Sequence, residues 1–288
     1  MKTYIECLPC FVRQSLDTAR RASNDSELQK QIMRTSLRQL AELDFDKSPP
    51  EMAQEIHRTI RSLTGGVDLY YEIKKWSNRK ALEMLEKMHK EIESSTCKFE
   101  TAIRLAIAGN IIDFGAKSHV SDEMVDEVVT ESLTMEMDLS EIESLKQEIE
   151  KAETILYILD NAGEIVFDRM LIEQLPRKKV IAVVRGQAII NDVTMEDARE
   201  VGLTEIVRVI DNGSDAPGTI LETCSKEFNA IFEKADLIIA KGQGNFETMS
   251  SIQKNIFFLL KVKCPVIADN IGKPLGAMVL VRQNSFNQ

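Results

Sequence analysis

The stretch Thr154–Gln174, TILYILDNAGEIVFDRMLIEQ, decides how this chain is read. Ile155 to Leu159 is an unbroken apolar run of strand length, Asp160-Asn161-Ala162-Gly163-Glu164 is a polar turn, and apolar residues return at helical spacing in Ile165, Val166, Met170 and Leu171. Strand, turn and helix in that order make half of a βαβ unit. Ligands of parallel α/β sheets gather beyond the carboxyl ends of the strands, which is where Asp160 and Asn161 fall. A carboxylate beside an amide oxygen suits a hard divalent cation. Ala162 and Gly163 permit a tight turn and leave space near the start of the next helix, a favourable place for an anion. The plain alternative is a capped turn, because Asp and Asn cap helices routinely.

The pattern recurs downstream. ILYIL, KVIAVVR, IVRVI, DLIIA and IFFLLKV are β-rich runs separated mostly by segments long enough for a helix. They predict an α/β fold with a Rossmann-like, mainly parallel sheet and helices on both faces. Polar loops follow the strands: Gly186 to Thr194 with Asp192, Asp211 to Gly218, and Lys241 to Glu247. A site made of Asp160, Asn161 and Asp192 offers oxygen ligands alone, the preference of magnesium or manganese. Lys241 ahead of Gly242-Gln243-Gly244-Asn245 places a point cation beside glycine-freed amides, which together favour an oxyanion. It is not a P-loop, since the GxxxxGK[ST] spacing is missing, and no GxGxxG follows a strand to support nicotinamide or flavin binding.

Upstream the character is helical. Phe11 to Arg21 and Glu27 to Leu43 have helical spacing, and Ser48-Pro49-Pro50-Glu51 leads into a helix with its second proline near the first turn. Gly65-Gly66 ends that helix, and Glu72 to Ser94 follows as a charged helix with a solvated face. In the apolar segment Thr101 to Gly115, Asn110 and Asp113 are three apart and share a face. They either point into a pocket or serve as a local break and a cap. Ser140 with Glu143 resembles a capping box opening the helix to Lys151. The expected organisation is a helical N-terminal region over residues 1–150 and an α/β domain that binds metal and phosphate over 151–288.

The 288 residues are 43% hydrophobic and 28% charged, as in an ordinary globular protein able to bury a full core. A formal charge of -10 argues against a broad polyanion-binding surface, and so against a nucleic-acid partner, while leaving room for one phosphate in a pocket. The first residues lack the apolar core of a secretory signal, and no run nears the roughly 18 residues of a membrane span. A cytoplasmic protein without a membrane partner is expected. Five cysteines, an odd count, point to reduced thiols. Cys7 and Cys10 form a lone CxxC without βαβ context or a second CxxC, so the pair is either structural or a metal or redox site. Cys97, Cys224 and Cys264 read as buried hydrophobes, and His57, His89 and His119 lack zinc-site spacing.

CLPC, GGVDLYYEIKKWSN, AGNIIDFG, LDNAGE, RGQAIINDVT, KGQGNFE and KCPVIADNIG follow one another in that order over nearly the whole chain. Together they resemble the DUF89 family, the damage-control phosphatase or acidic-residue-methyltransferase-like group, in its smaller CxxC-bearing archaeal and bacterial branch. The resemblance implies an α/β fold with a helical N-terminal part and a divalent-metal site. Its Asp-Asn pair falls on Asp160 and Asn161, its third ligand on Asp192, its Gly-Asn-x-x-Asp motif on Asn110 and Asp113, and its Lys-Gly-x-x-Asn loop on Lys241 and Asn245. Members of the family are metal-dependent phosphatases, often of sugar phosphates or damaged phosphometabolites, supported by manganese, nickel, cobalt or magnesium. One departure is Asp68-Leu69-Tyr70, where Asp-Pro-Tyr is expected.

The expected chemistry is metal-assisted hydrolysis of a small phosphorylated metabolite. Asp160 and Asp192 are its catalytic candidates, and Asp160 either attacks phosphorus or positions a water. Lys241, Gly242, Gly244 and Asn245 are expected to bind the phosphoryl group, with Asn110 and Asp113 shaping the substrate end. Two other classes share the pocket: a non-catalytic sensor of a metal and a phosphometabolite, and an S-adenosylmethionine-dependent methyltransferase. The second is disfavoured by the want of a glycine-rich loop after the first strand.

Overall fold

The computed structural model describes residues 1–109, 130, 133–134, 137–138 and 140–283. Helices α1 (Leu8–Ala22), α2 (Ser26–Ala41) and α3 (Pro49–Leu63) form a layer with its own core, in which Phe11, Ala19, Ile32, Met52, Ile56 and Ile60 meet. Helix α3 opens with a full capping box between Ser48 and Glu51. Both prolines occupy its first turn, where a missing N–H costs nothing. It closes at Thr64, with the Gly66 N–H reaching back to the Arg61 carbonyl at 3.0 Å from a φ of +83° that suits only glycine. Helices α4 (Tyr71–Ser94) and α5 (Lys98–Ala108) follow.

The sheet has seven strands among the described residues: β1 (Met137–Asp138), β2 (Ile155–Ile158), β3 (Val180–Val184), β4 (Arg208–Asp211), β5 (Leu237–Lys241), β6 (Ile256–Lys261) and β7 (Met278–Arg282). Their order is β1-β7-β6-β5-β2-β3-β4, and every pairing is parallel except β6 with β7. The mixed α/β fold with a mainly parallel sheet therefore stands as expected. Strands β1 and β7 are absent from the expected runs: β1 is two residues long, and the apolar part of β7 is only Met278 to Val281 before Arg282. Helices α6 (Ile142–Lys151), α7 (Glu164–Glu173), α8 (Met195–Glu200), α9 (Lys226–Lys234), α10 (Gln243–Met249) and α11 (Pro265–Ile271) complete the α-helices among the described residues.

Both faces of the sheet are covered, which is why its central strands are apolar at every position rather than alternately. Ile155, Tyr157 and Leu159 face one core, shared with Met84 and Met88 of α4, Ala102 and Ile103 of α5, and Phe167 of α7. Leu156 and Ile158 face the other, with Phe228, Phe232 and Phe246. The proposed Ser140–Glu143 capping box does not form. Helix α6 starts one residue later than that box requires, with Glu141 at its N-cap and no side-chain cap, while the Ser140 N–H donates to Asp138 Oδ1 at 3.0 Å.

The strand order fixes where a ligand goes. From β2 the chain adds β3 and β4 on one side, then crosses to add β5 and β6 on the other. The order reverses between β2 and β5, and the crevice beyond their carboxyl ends is the place that doubly wound sheets leave open.

Candidate active site

Asp160 and Asn161 leave β2 at this crevice, and the backbone itself brings Asp192 to them. Asn161 and Asp192 form an isolated antiparallel bridge, the Ala162 N–H donates to Asn191 O at 2.9 Å, and the Val193 N–H donates to Asp160 O at 2.9 Å. The loop after β3 thus folds back onto the turn after β2. Arg185, wholly buried at the end of β3, donates from Nε to Asp192 Oδ2 at 2.7 Å. One of its terminal nitrogens lies 3.8 Å from Asp160 Oδ1. Helix α4 ties the same two loops from below: Asn78 Oδ1 accepts the Gly163 N–H at 2.8 Å, while its Nδ2 donates to Asp197 Oδ1 at 3.0 Å.

On the other side of the switch point, β5 ends in Lys241 and Gly242. Gly242 has φ +81°, and a Cβ there would fall 1.9 Å from Asp160 Oδ2, so only glycine lets the two strand ends approach this closely. Its N–H is in the sheet, donating to Leu259 O at 3.0 Å. Gly244 is small for another reason, since a Cβ would meet Pro217 O at 2.2 Å. Asn245, fully buried, donates to Leu159 O at 3.2 Å and Lys241 O at 2.8 Å, and accepts from Thr219 Oγ1 at 2.9 Å. It stitches the ends of β2 and β5 together.

Lys241 lies deeper than an exposed phosphate cradle requires. Its ammonium donates to Asp168 Oδ1 at 2.6 Å, Glu164 Oε1 at 2.7 Å and the Ala106 carbonyl at 2.8 Å. Burial by itself would lower its pKa; the Asp168 and Glu164 carboxylates reverse that and hold it above the ordinary lysine value. A hydrogen-bonded chain results. Tyr157 Oη donates to Asp168 at 2.7 Å, Lys241 bridges Asp168 and Glu164, and Asn161 Nδ2 joins Glu164 Oε2 at 3.2 Å to Asp160 Oδ2 at 2.7 Å.

The crevice is short of positive charge at Asp160. Burial, then the neighbouring Glu164 and Asp192 carboxylates, push its pKa up to about 8, with Arg185 pulling weakly the other way. Asp192 is also raised by burial, against Arg185. Two buried carboxylates and an amide oxygen are hard donors, and a dication would relieve the repulsion that lifts Asp160, so the residues fit such an ion. Among the described residues no three His, Cys, Asp or Glu side chains gather into a group able to hold a metal ion.

The structure brings together Asp160, Asn161, Asp192, Lys241, Gly242 and Asn245, with Gly244 in the first turn of α10. Asn110 and Asp113 lie outside the described residues. Arg185, Glu164, Asp168 and Asn78 were not foreseen. Arg185 had a legible signal, a cation closing a strand-like apolar run; Asn78 had none, being one polar residue in a charged helix. Cys7 and Cys10 are free thiols that line a cavity of about 280 Å³ together with Cys264.

The family model of the damage-control phosphatase ARMT1-like domain matches residues 3–279. The chain belongs to this family. Among curated relatives of this damage-control phosphatase-like chain, an uncharacterized protein of Methanocaldococcus jannaschii is 36% identical over 290 residues, covering 96% of this chain and 94% of that one. A damage-control phosphatase of Pyrococcus horikoshii is 36% identical over 291 residues, 99% of each chain. One of Archaeoglobus fulgidus is 34% identical over 286 residues, 97% of this chain and 98% of the relative. The crystal structure of a DUF89 family protein from P. horikoshii superposes with a TM-score of 0.92 at 36% identity, covering 99% of this chain and 100% of that chain. The ARMT1-like assignment thus spans the helical layer as well as the sheet.

Proposed function

We propose that this chain is a divalent-metal-dependent phosphatase that hydrolyses small phosphomonoesters such as sugar phosphates or damaged phosphometabolites. The observation that carries the reading is the pairing of Asn161 with Asp192, which sets two buried carboxylates against one another at the switch point. Two full-length relatives named damage-control phosphatase support the same reaction class. Asp160, Asn161 and Asp192 would hold the cation, manganese, nickel, cobalt or magnesium, which when bound polarises the phosphoryl group and offsets its charge.

The protein's own residues do the rest. Arg185 fixes the Asp192 carboxylate through Nε, and Lys241 holds Glu164 in place behind Asn161. Gly242 leaves the space into which Asp160 projects. Asp160 acts either as the nucleophile on phosphorus or as the group that orients the attacking water and takes its proton. The loop from Gly242 to Gly244 borders the phosphoryl group, while Lys241 and Asn245 stand behind it with their polar groups engaged inside the protein, and Asn110 and Asp113 are assigned to the substrate end by family likeness.

The test is phosphate release from a panel of sugar phosphates with added manganese, comparing the wild type with Asp160→Ala and Asp192→Ala. Loss of turnover in both folded variants supports the reading; undiminished turnover removes it.

A further inference from the structure

Two motifs that the phosphatase reading leaves without a part, CLPC at the start of the chain and KCPVIADNIG near its end, meet at one place. The cavity of about 280 Å³ that Cys7, Cys10 and Cys264 line lies between the first turns of α1 and α3 and the loop that leads into α11. Phe11 and Val266 give it apolar walls. Among the described residues these thiols form no group able to hold a metal ion. Packing does not account for them either, because a cysteine that serves as a small hydrophobe is buried and Cys10 is exposed.

The local geometry suits thiol chemistry. Cys7 is the N-cap of α1 and already has helical backbone angles, φ -78° and ψ -24°, so Cys10, three residues on, shares its face. Such neighbours stand about 5–6 Å apart at Cβ. A disulfide requires roughly 3.5–4.5 Å. The first turn of a helix can close that gap at little cost, since its N–H groups lie outside the helical ladder and Pro9 has none to lose.

Exposure separates the roles of the three sulfurs. Burial raises the pKa of Cys7 and of Cys264, with the Glu247 carboxylate pushing the same way, so both are kept as thiols. Cys10 is the sulfur that a molecule from solution meets, and Cys7 is held beside it, where proximity makes up for a small thiolate fraction. Cys264 is turned to the other wall. Its Sγ accepts from Gln243 Nε2 of α10 at 3.6 Å.

We propose that Cys10 and Cys7 are a thiol–disulfide exchange site, with Cys10 the entering nucleophile, Cys7 the resolving thiol and a small organic disulfide, RSSR, the oxidant. Cys10 gives up its proton and attacks one sulfur of RSSR. A mixed disulfide forms on Cys10, the RS–SR bond breaks, and the thiolate released takes a proton to become RSH. Cys7 then attacks the Cys10 sulfur; the Cys7–Cys10 bond forms, and the second RS group leaves with the Cys7 proton. Two protein thiols lose two electrons, and RSSR gains them as two RSH.

The experiment treats the reduced full-length chain with glutathione disulfide, quenches in acid, caps the remaining thiols with N-ethylmaleimide, and reads intact mass and peptide maps. The wild type is expected to lose two capping sites, to carry no glutathione, to show its new bond between Cys7 and Cys10, and to regain both sites with dithiothreitol. Cys7→Ser keeps a good N-cap and removes the resolving sulfur, so glutathione should stay on Cys10. Cys10→Ser should react at least tenfold more slowly, and Cys264→Ser at the wild-type rate. No loss of capping sites, a bond mapped to Cys264, glutathione that persists on Cys10 of the wild type, or a Cys10→Ser variant as fast as the wild type overturns the proposal. Should a variant fold poorly, the wild-type map decides the question unaided, and none of these readings depends on phosphate release.

Discussion

Gly242 and Asp160 stand so close that a methyl group on the glycine would occupy the space of the carboxylate, 1.9 Å from Oδ2. The contact joins the ends of β2 and β5, the two strands between which the sheet order reverses. Gly242→Ala is therefore expected to displace Asp160 and to force a left-handed backbone on an alanine, at a cost of roughly 1–3 kcal/mol for the backbone alone. Phosphate release should fall at least a hundredfold while the protein remains folded, as read by turnover beside a thermal melt. A variant with near-normal turnover would show that the carboxylate is not placed by this contact.

Lys241 gives a prediction about stability rather than chemistry. Its ammonium is fully buried between Glu164 and Asp168, and Lys241→Met leaves two carboxylates facing each other out of water. Breaking one side of a buried pair costs about 3–5 kcal/mol, so urea unfolding should shift to much lower denaturant. Adding Glu164→Gln and Asp168→Asn to Lys241→Met should recover most of that loss. If the triple variant is no more stable than the single one, the cost lies in packing and not in unpaired charge.

Much of this arrangement could be read in the sequence because its signals are local. The run ILYIL followed by Asp160-Asn161 marks a strand end by apolar length and a polar turn, and the same grammar locates Asp192 and Lys241. What stayed hidden depends on pairing across the chain. The Ser140–Glu143 spacing satisfies a capping box on paper, yet the helix begins at Ile142 and Asp138 takes the Ser140 N–H instead. Lys241 looked like a phosphate cation because nothing near it in sequence announces that Glu164 and Asp168, successive turns of α7, will close over its ammonium. Asn78 lies more than eighty residues from Gly163, whose N–H it holds. Such partners are set by the packing of α4 under the sheet, which a single sequence does not display.

His57 predicts an acid-sensitive step. Burial, helped by Arg61, lowers its pKa from 6.5 to about 4, so the folded state disfavours the imidazolium. A depressed folded value means stability that is present above the unfolded pKa and lost as the pH falls from 6.5 toward 4. The loss should approach about 3 kcal/mol at the lower end. In melts taken across this range, His57→Gln should flatten that part of the pH dependence, and an unchanged slope would assign it to other groups.

Asp160 works with the opposite sign. Its pKa rises from 3.8 to about 8 as burial and the Glu164 and Asp192 carboxylates oppose ionisation. A folded value above the unfolded one means a contribution that is present below about 4 and lost as the pH climbs through 8. With chelator present, the protein should therefore be less stable at pH 8.5 than at pH 5.5 by on the order of 3 kcal/mol through this group. Asp160→Asn removes the charge and keeps the shape, so it should melt higher than the wild type at pH 8.5, and by a smaller margin at pH 5.5, where the unfolded carboxyl is already ionised. Manganese should reverse the ranking at high pH, because binding to the ionised carboxylate stabilises the wild type by mass action and has less to hold in the variant. Melting curves of the two proteins at both pH values, with and without manganese, test the argument in full. It fails if Asp160→Asn is never the more stable protein in chelator, since the carboxylate would then carry no penalty for a cation to relieve.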